Sequence, residues 1–207
     1  MRAQGQPDRA VNLRLFVALD PPEAARRRLA AMQAELRRAA GRHAEEVRWL
    51  PAENVHLTLQ FLGAVPEERL PALRAALAAT AGQARPLALE LKGAGGFPSA
   101  RRPRVVWAGV GGEIEALAGL AAEVGRRLAP LGFPPEARSF SPHLTLGRAR
   151  EGRGAPGLGG ALAQVAGMEG APWRATELVL YRSYLSPGGA RYEALDRFPL
   201  GGAPPAR

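Results

Sequence analysis

Apolar and polar positions along the chain fall into short periodic segments. Leu13 to Leu19 (LRLFVAL) is an apolar run of strand length. It leads into Asp20-Pro21-Pro22-Glu23, which predicts a helix start with Asp20 as N-cap, proline at N1 and glutamate at N3. Leu29, Met32 and Leu36 then recur at helical spacing, and Gly41 closes the helix. A short extended segment, Val47 to Leu50, precedes a Pro51 turn and the strand VHLTLQFL, Val55 to Leu62. A second helix follows Gly63, with Leu70, Leu73 and Leu77 on one face, and Leu87 to Leu91 reads as another strand.

From Arg104 the order starts again. RVVWAGV predicts a strand, and Ile114, Leu117, Ala121, Val124 and Leu128 mark a helix. Ser141-Pro142 introduces the strand HLTLGRA. A weaker helical stretch spans Leu158 to Val165. ELVLYRSYL and YEALDRF are the last strands, joined by a hairpin turn at Ser186-Pro187-Gly188-Gly189. Strand, helix, motif strand, helix, strand therefore occurs twice. This predicts an α+β fold of two similar lobes with mostly antiparallel sheets flanked by helices, related by a pseudo-twofold axis, with a cleft between them. The expected domain covers residues 12–200 with its lobes interleaved, and 1–11 and 201–207 are expected to be flexible termini.

The chemistry sits in the repeat. In VHLTLQFL, Val55, Leu57, Leu59 and Phe61 alternate with His56, Thr58 and Gln60, so the first set should face a core and the second the opposite side. HLTL at 143–146 does the same: Leu144 and Leu146 inward, His143 and Thr145 outward. A single HxT strand is most often just a polar outer face. Here, however, two of the chain's three histidines occupy equivalent places in a duplicated element order. Imidazole gives or takes a proton near neutrality, and threonine hydroxyls donate to phosphoryl oxygens. Two histidines flanking one phosphate can serve as base on an attacking water and acid on the departing oxygen of an in-line displacement. His43 lies on a polar segment and is expected to be a solvated surface residue.

Composition narrows the alternatives. With no cysteine there is no disulfide, thiolate nucleophile or Cys-ligated metal; there is no HExxH, and there are only three aspartates. No metal or other cofactor is expected. The glycine-rich Gly152 to Gly160 lacks the G-K-[ST] ending of a phosphate-binding loop and reads as a flexible connection. Lys92, the sole lysine, has no K-x-D-G context for a lysyl-adenylate. The longest apolar runs are too short for a membrane span and the first ten residues carry no signal-peptide pattern, so no membrane association and a cytoplasmic location are expected. The net charge of +9 suits an anionic partner such as RNA, although an arginine-rich compositional bias explains it equally well. Ser99 to Arg104 is a basic loop that fits either an RNA backbone or solvent. Trp49, Phe140, Tyr181 and Tyr184 offer stacking surfaces or core packing.

At RWLPAENVHLTLQFLG and FSPHLTLGRAR the chain resembles the 2H phosphoesterase superfamily, and within it the RNA 2′,3′-cyclic phosphodiesterase branch, also called 2′-5′ RNA ligase. The resemblance runs from LRLFVAL to YEALDRF. It implies metal-independent opening of a 2′,3′-cyclic phosphate RNA end to a 2′-phosphate, with His56 as proton donor and His143 as proton acceptor. It further implies Thr58 and Thr145 on the phosphoryl oxygens, and ATP-independent ligation as a possible reverse reaction. Arg148 matches a phosphate-binding position, yet strict alternation puts it on the wrong face unless a bulge or strand end follows Gly147. Phe61 would border the base pocket, although its parity favours the core. Two other functions compatible with the sequence are a non-catalytic RNA- or nucleotide-binding module and a 2H enzyme acting on small cyclic nucleotides. With both motifs on one chain, a monomer with no obligate protein partner is expected.

Overall fold

The computed structural model describes residues 12–186 and 189–202. The segment 1–11, residues 203–207 of the expected flexible segment 201–207, and the Pro187-Gly188 centre of the hairpin turn lie outside the described residues. The strands are β1 (Asn12–Leu19), β2 (Val47–Trp49), β3 (Leu57–Pro66), β4 (Leu87–Phe97), β5 (Val105–Gly112), β6 (His143–Ala149), β7 (Glu169–Ala175), β8 (Glu177–Ser186) and β9 (Gly189–Pro199). The helices are α1 (Glu23–Ala40), α2 (Leu70–Gln83), α3 (Ile114–Leu128) and α4 (Gly159–Val165). All strand pairings are antiparallel, in the order β7-β4-β5-β6-β3-β1-β8-β9, with β2 added alongside β6.

This order has a centre. β3 and β6, the two motif strands, meet there through one register pair, Leu57 opposite Leu144. To one side lie β1, β8 and β9, and to the other β5, β4 and β7. The halves exchange elements: β4, which follows the first motif, joins the second half, and β8 and β9 from the end of the chain complete the first. The helices follow the same logic, α1 packing beside α4 and α2 beside α3.

One face of the sheet carries the helices. Leu13, Leu15, Val17 and Leu19 of β1 join Leu57, Leu144 and Leu146 against Leu29, Met32 and Leu36 of α1 and Leu117, Val124 and Leu128 of α3 in one buried cluster. Burying each such side chain contributes roughly 1.5–3 kcal/mol. On the other face, Phe16, Ala18, Val179 and Tyr181 form a small cluster of their own, with Tyr192 packed against it. The helical layer thus leaves a second face of the sheet available for the site.

Three sequence expectations change. α1 starts at Glu23 with Pro22 in the cap position and no side-chain cap. The Asp20 carboxylate instead accepts the Tyr181 hydroxyl at 2.8 Å and pairs with Arg197 at 3.2 Å, so tertiary partners outcompete the helix amides. β7 has no counterpart in the sequence expectation: Gly170 and Pro172 interrupt its pattern, yet it edges the sheet beside β4. His43 is half-exposed rather than simply solvated. Its ring bonds Glu46 at 2.6 Å, and a Cβ built on Gly157 would lie 2.2 Å from it, so it anchors the glycine-rich connection.

Candidate active site

The Leu57–Leu144 pair determines the site. Both leucines point into the helical core, at 1% and 0% exposure, so their neighbours point the other way. Continuing that register sets His56 across from Thr145 and Thr58 across from His143. The two histidines then stand on a diagonal, which in a regular ladder separates residues by about 7–8 Å. All four side chains are partly exposed on one face.

Each ring is held in the same way. His56 Nδ1 is 3.0 Å from the carbonyl of Asn54, and His143 Nδ1 is 2.8 Å from that of Ser141; both carbonyls lie two residues upstream. A carbonyl only accepts, so each Nδ1 carries the hydrogen and each Nε2 is free for a ligand. Phe16 and Tyr192 wall His56, with centroids at 4.5 and 4.9 Å, and Tyr181 stacks behind at 5.8 Å. Phe97 meets His143 edge-on at 5.0 Å. Burial among these rings pushes the His56 pKa down to about 4, against the opposing pull of the Asn54 carbonyl and Asp20.

A bulge follows each threonine. Between β1 and β3 the register passes from Ala18–Thr58 to Val17–Gln60, leaving Leu59 as the extra residue. Between β5 and β6 it passes from Trp107–Thr145 to Val106–Gly147, leaving Leu146 as the extra residue. Each bulge buries two successive residues and returns the next one to the cleft face. Burial therefore reads identically from Leu57 to Phe61 and from Leu144 to Arg148. The bulge that brings Arg148 to the cleft face lies at Leu146, before Gly147 rather than after it as expected, and the ladder runs on regularly through Gly147 to Arg148. The parity expectation for Phe61 is overturned: it is 52% exposed, while Gln60, expected to face outward, is 2% exposed and donates to the carbonyls of Phe133 and Pro134. The second bulge is tied to the helical layer by Gln33 of α1, whose amide donates to the Leu146 carbonyl at 2.8 Å. Gly147 is required there, because a Cβ would fall 2.5 Å from Val47 Cγ1.

Two cavities open from the site, and Phe61 borders both. One, about 760 Å³, is lined by Thr58, His143, Phe97, Phe140 and Arg104. The other, about 1010 Å³, is lined by Arg14, Arg48, Trp49, Arg148 and Tyr192. Phe140 and Trp49, both anticipated as stacking candidates, thus lie at the cavities. Tyr181 backs His56, whereas Tyr184 is clamped between Arg182 and Arg191, at 4.5 and 4.3 Å. Of the basic loop, Arg104 reaches the smaller cavity. Phe16, Phe97 and Tyr192 were not anticipated from the sequence, because only cross-strand pairing brings them to the histidines. Among the described residues no group of three or more His, Asp or Glu side chains is placed to hold a metal ion, and no helix is long and apolar enough to cross a membrane.

The model of the LigT like Phosphoesterase family matches residues 19–107 and 110–192, spanning both HxT strands. The chain belongs to this family. Among its LigT-like relatives, a protein of Methanothermobacter thermautotrophicus named RNA 2′,3′-cyclic phosphodiesterase is 32% identical over 190 residues, covering 92% of this chain and all of the relative. A protein of the same name from Thermus thermophilus is 34% identical over 196 residues, 92% of this chain and 91% of its own length. Solved LigT-like structures agree. TT0787 of Thermus thermophilus has a TM-score of 0.76 at 31% identity, covering 92% of this chain and 99% of its own. E. coli LigT complexed with 3′-AMP has a TM-score of 0.64 at 31% identity, covering 91% and 98%.

Proposed function

We propose that this LigT-like protein is an RNA 2′,3′-cyclic phosphodiesterase that opens the cyclic phosphate to a 2′-phosphate by paired histidine acid–base catalysis. The observation that carries the proposal is the twice-repeated arrangement in which a histidine has Nδ1 bonded two residues upstream, a threonine shares its face, and a bulge follows. The names of the relatives support the substrate class.

The cyclic phosphate sits between the two Nε2 atoms. His143 takes a proton from water as its oxygen attacks phosphorus, the P–O3′ bond breaks, and His56 gives its proton to O3′. Thr58 and Thr145 donate to the non-bridging oxygens, and Arg148 offsets their charge. His56 is neutral at pH 7 in the empty cleft, since burial holds its pKa near 4. The bound anion opposes that burial penalty, so the acid acquires its proton with the substrate. The division of roles follows motif position in the family. A 5′-hydroxyl in place of water would give a 2′-5′ linkage without ATP.

The terminal base enters the cavity lined by Phe61, Phe97 and Phe140, where aromatic faces suit stacking. We further propose that residues 12–200 act as one bilobal, monomeric domain, because both motifs come from one chain, and that it works in the cytoplasm, where RNA ends are met. Incubation of an oligoribonucleotide ending in a 2′,3′-cyclic phosphate, in EDTA, tests the proposal. A 2′-phosphate product is expected. A 3′-phosphate product refutes the leaving-group assignment, and loss of activity in EDTA refutes metal independence. Binding without turnover indicates a binding module instead, and turnover confined to small cyclic nucleotides indicates a different 2H substrate.

A further inference from the structure

Arg14, Arg48 and Arg148 belong to exposed positions and line the larger cavity. Among the described residues none of the three has a carboxylate within 4.0 Å, whereas Arg74, Arg85 and Arg126 each have one and Arg197 has two. Unpaired arginines occur elsewhere on the surface, but these converge. Arg48 and Arg148 are direct cross-strand partners in the β2–β6 ladder, and Val105 flanks Arg148 on the other side. Like charges placed directly opposite repel, so the pairing disfavours the empty protein and is relieved by an anion between them. Trp49, Phe61 and Tyr192 interleave with the arginines, a combination suited to a single strand whose phosphates meet cations and whose bases stack. At about 1010 Å³ the cavity stands at the top of the roughly 300–1,000 Å³ range of small-ligand sites.

Ribose stereochemistry supplies the direction. C3′ adjoins C4′, which carries C5′, while C2′ adjoins C1′, which carries the base. Turning O3′ toward His56 therefore sends C5′ toward the His56 side and the base toward the His143 side. Arg148 and Tyr192, which line the larger cavity, are both close to His56: Tyr192 touches its ring and the charge of Arg148 acts on it. His143 lines the smaller one.

We propose that the arginine-lined cavity is the channel for the body of a single-stranded RNA, taking the phosphodiesters on the 5′ side of the terminal cyclic phosphate, with Arg14 and Arg48 on the backbone. This rests on the reaction and the orientation proposed above. It means that the protein acts on polynucleotide ends in preference to cyclic mononucleotides, and that part of its positive charge is functional.

The test compares kcat/KM for a 2′,3′-cyclic mononucleotide and for a short oligoribonucleotide with the same terminal base and cyclic phosphate, across a KCl series. The oligomer is expected to be preferred by about tenfold or more at low salt, with the preference shrinking as salt rises. In the Arg14→Ala/Arg48→Ala double variant the oligomer-to-mononucleotide ratio should approach unity. The log–log salt slope for the oligomer should flatten by roughly 0.7 for each phosphate that is no longer neutralised. Arg37→Ala/Arg69→Ala removes equal charge from exposed positions that line neither cavity, and should retain the ratio. Equal kcat/KM for the two substrates in the unaltered protein overturns the channel, as does an equal loss in the control variant. Failure to hydrolyse either substrate would instead refute the underlying phosphodiesterase proposal.

Discussion

Phe61 and Arg148 occupy corresponding places in the two halves of the sheet. Each follows its histidine by five residues, lies beyond a one-residue bulge, and returns to the cleft after two buried neighbours. The backbone device is thus duplicated while the side chains it presents have diverged. One half offers an aromatic ring on the ridge between two cavities, the other a guanidinium that lines the larger of them. Asymmetric substituents on a symmetric frame suit the directional cleavage of one P–O bond proposed above.

Phe61 on an exposed ridge has a consequence opposite to that of a core phenylalanine. Truncating a buried phenylalanine costs about 3–5 kcal/mol. Phe61→Ala should instead leave the urea midpoint nearly unchanged while raising KM for the cyclic substrate several-fold through lost stacking. Loss of several kcal/mol of stability would return Phe61 to the core.

Gly147 lets β6 lie close beside β2. A Cβ there meets Val47 at 2.5 Å and the Arg48 carbonyl at 3.1 Å, so Gly147→Val should destabilise by about 1–3 kcal/mol through overpacking. Because the bulge re-aims Arg148, the variant should also weaken inhibition by inorganic phosphate. A variant with unaltered stability and phosphate affinity would contradict this account of the bulge.

His56 should titrate far below an ordinary imidazole. Its NMR midpoint in the free protein is expected near 4, moving upward when phosphate or a nucleotide monophosphate fills the cleft. Between 4 and the unfolded value of 6.5 the unfolded chain binds more protons, so stability rises with pH across that window. The contribution is fully present above about 6.5 and lost as pH falls toward 4. It is on the order of 3 kcal/mol before any allowance for partial solvent access. His56→Gln should remove that pH-dependent component from urea melts. A free-protein midpoint above 6 would contradict the burial argument.

What the sequence made legible, and what it did not, follows from the range of the forces involved. Leu29, Met32 and Leu36, or Ile114 to Leu128, repeat over several turns, and such local periodicity identifies a helix without tertiary information. His56 and Thr58 share a face because alternation holds over three residues. Beyond Thr58 it fails: a bulge depends on the register with β1, which no local pattern encodes, and so Phe61 and Gln60 exchange expected environments. For Arg148 the chemistry expected of the arginine exposed the conflict with parity and pointed to a bulge. Phe61 offered no such chemical demand. β7 is not legible in the sequence because Gly170 and Pro172 weaken the pattern, and its place beside β4 depends on the exchange of strands between halves. Asp20 carries a helix-cap signal, but Tyr181, 161 positions later, claims it.

The central claim is that His56 and His143 act as one unit on a single phosphate. The most direct test is kcat on a 2′,3′-cyclic-phosphate RNA end for His56→Ala, His143→Ala and the double variant, each shown to fold by its urea transition. Each single change should lower kcat by about 10²–10⁴-fold, and the double variant should be little worse than the poorer single one, as for residues acting together. Near-normal turnover in either single variant, or losses that multiply in the double, would contradict it.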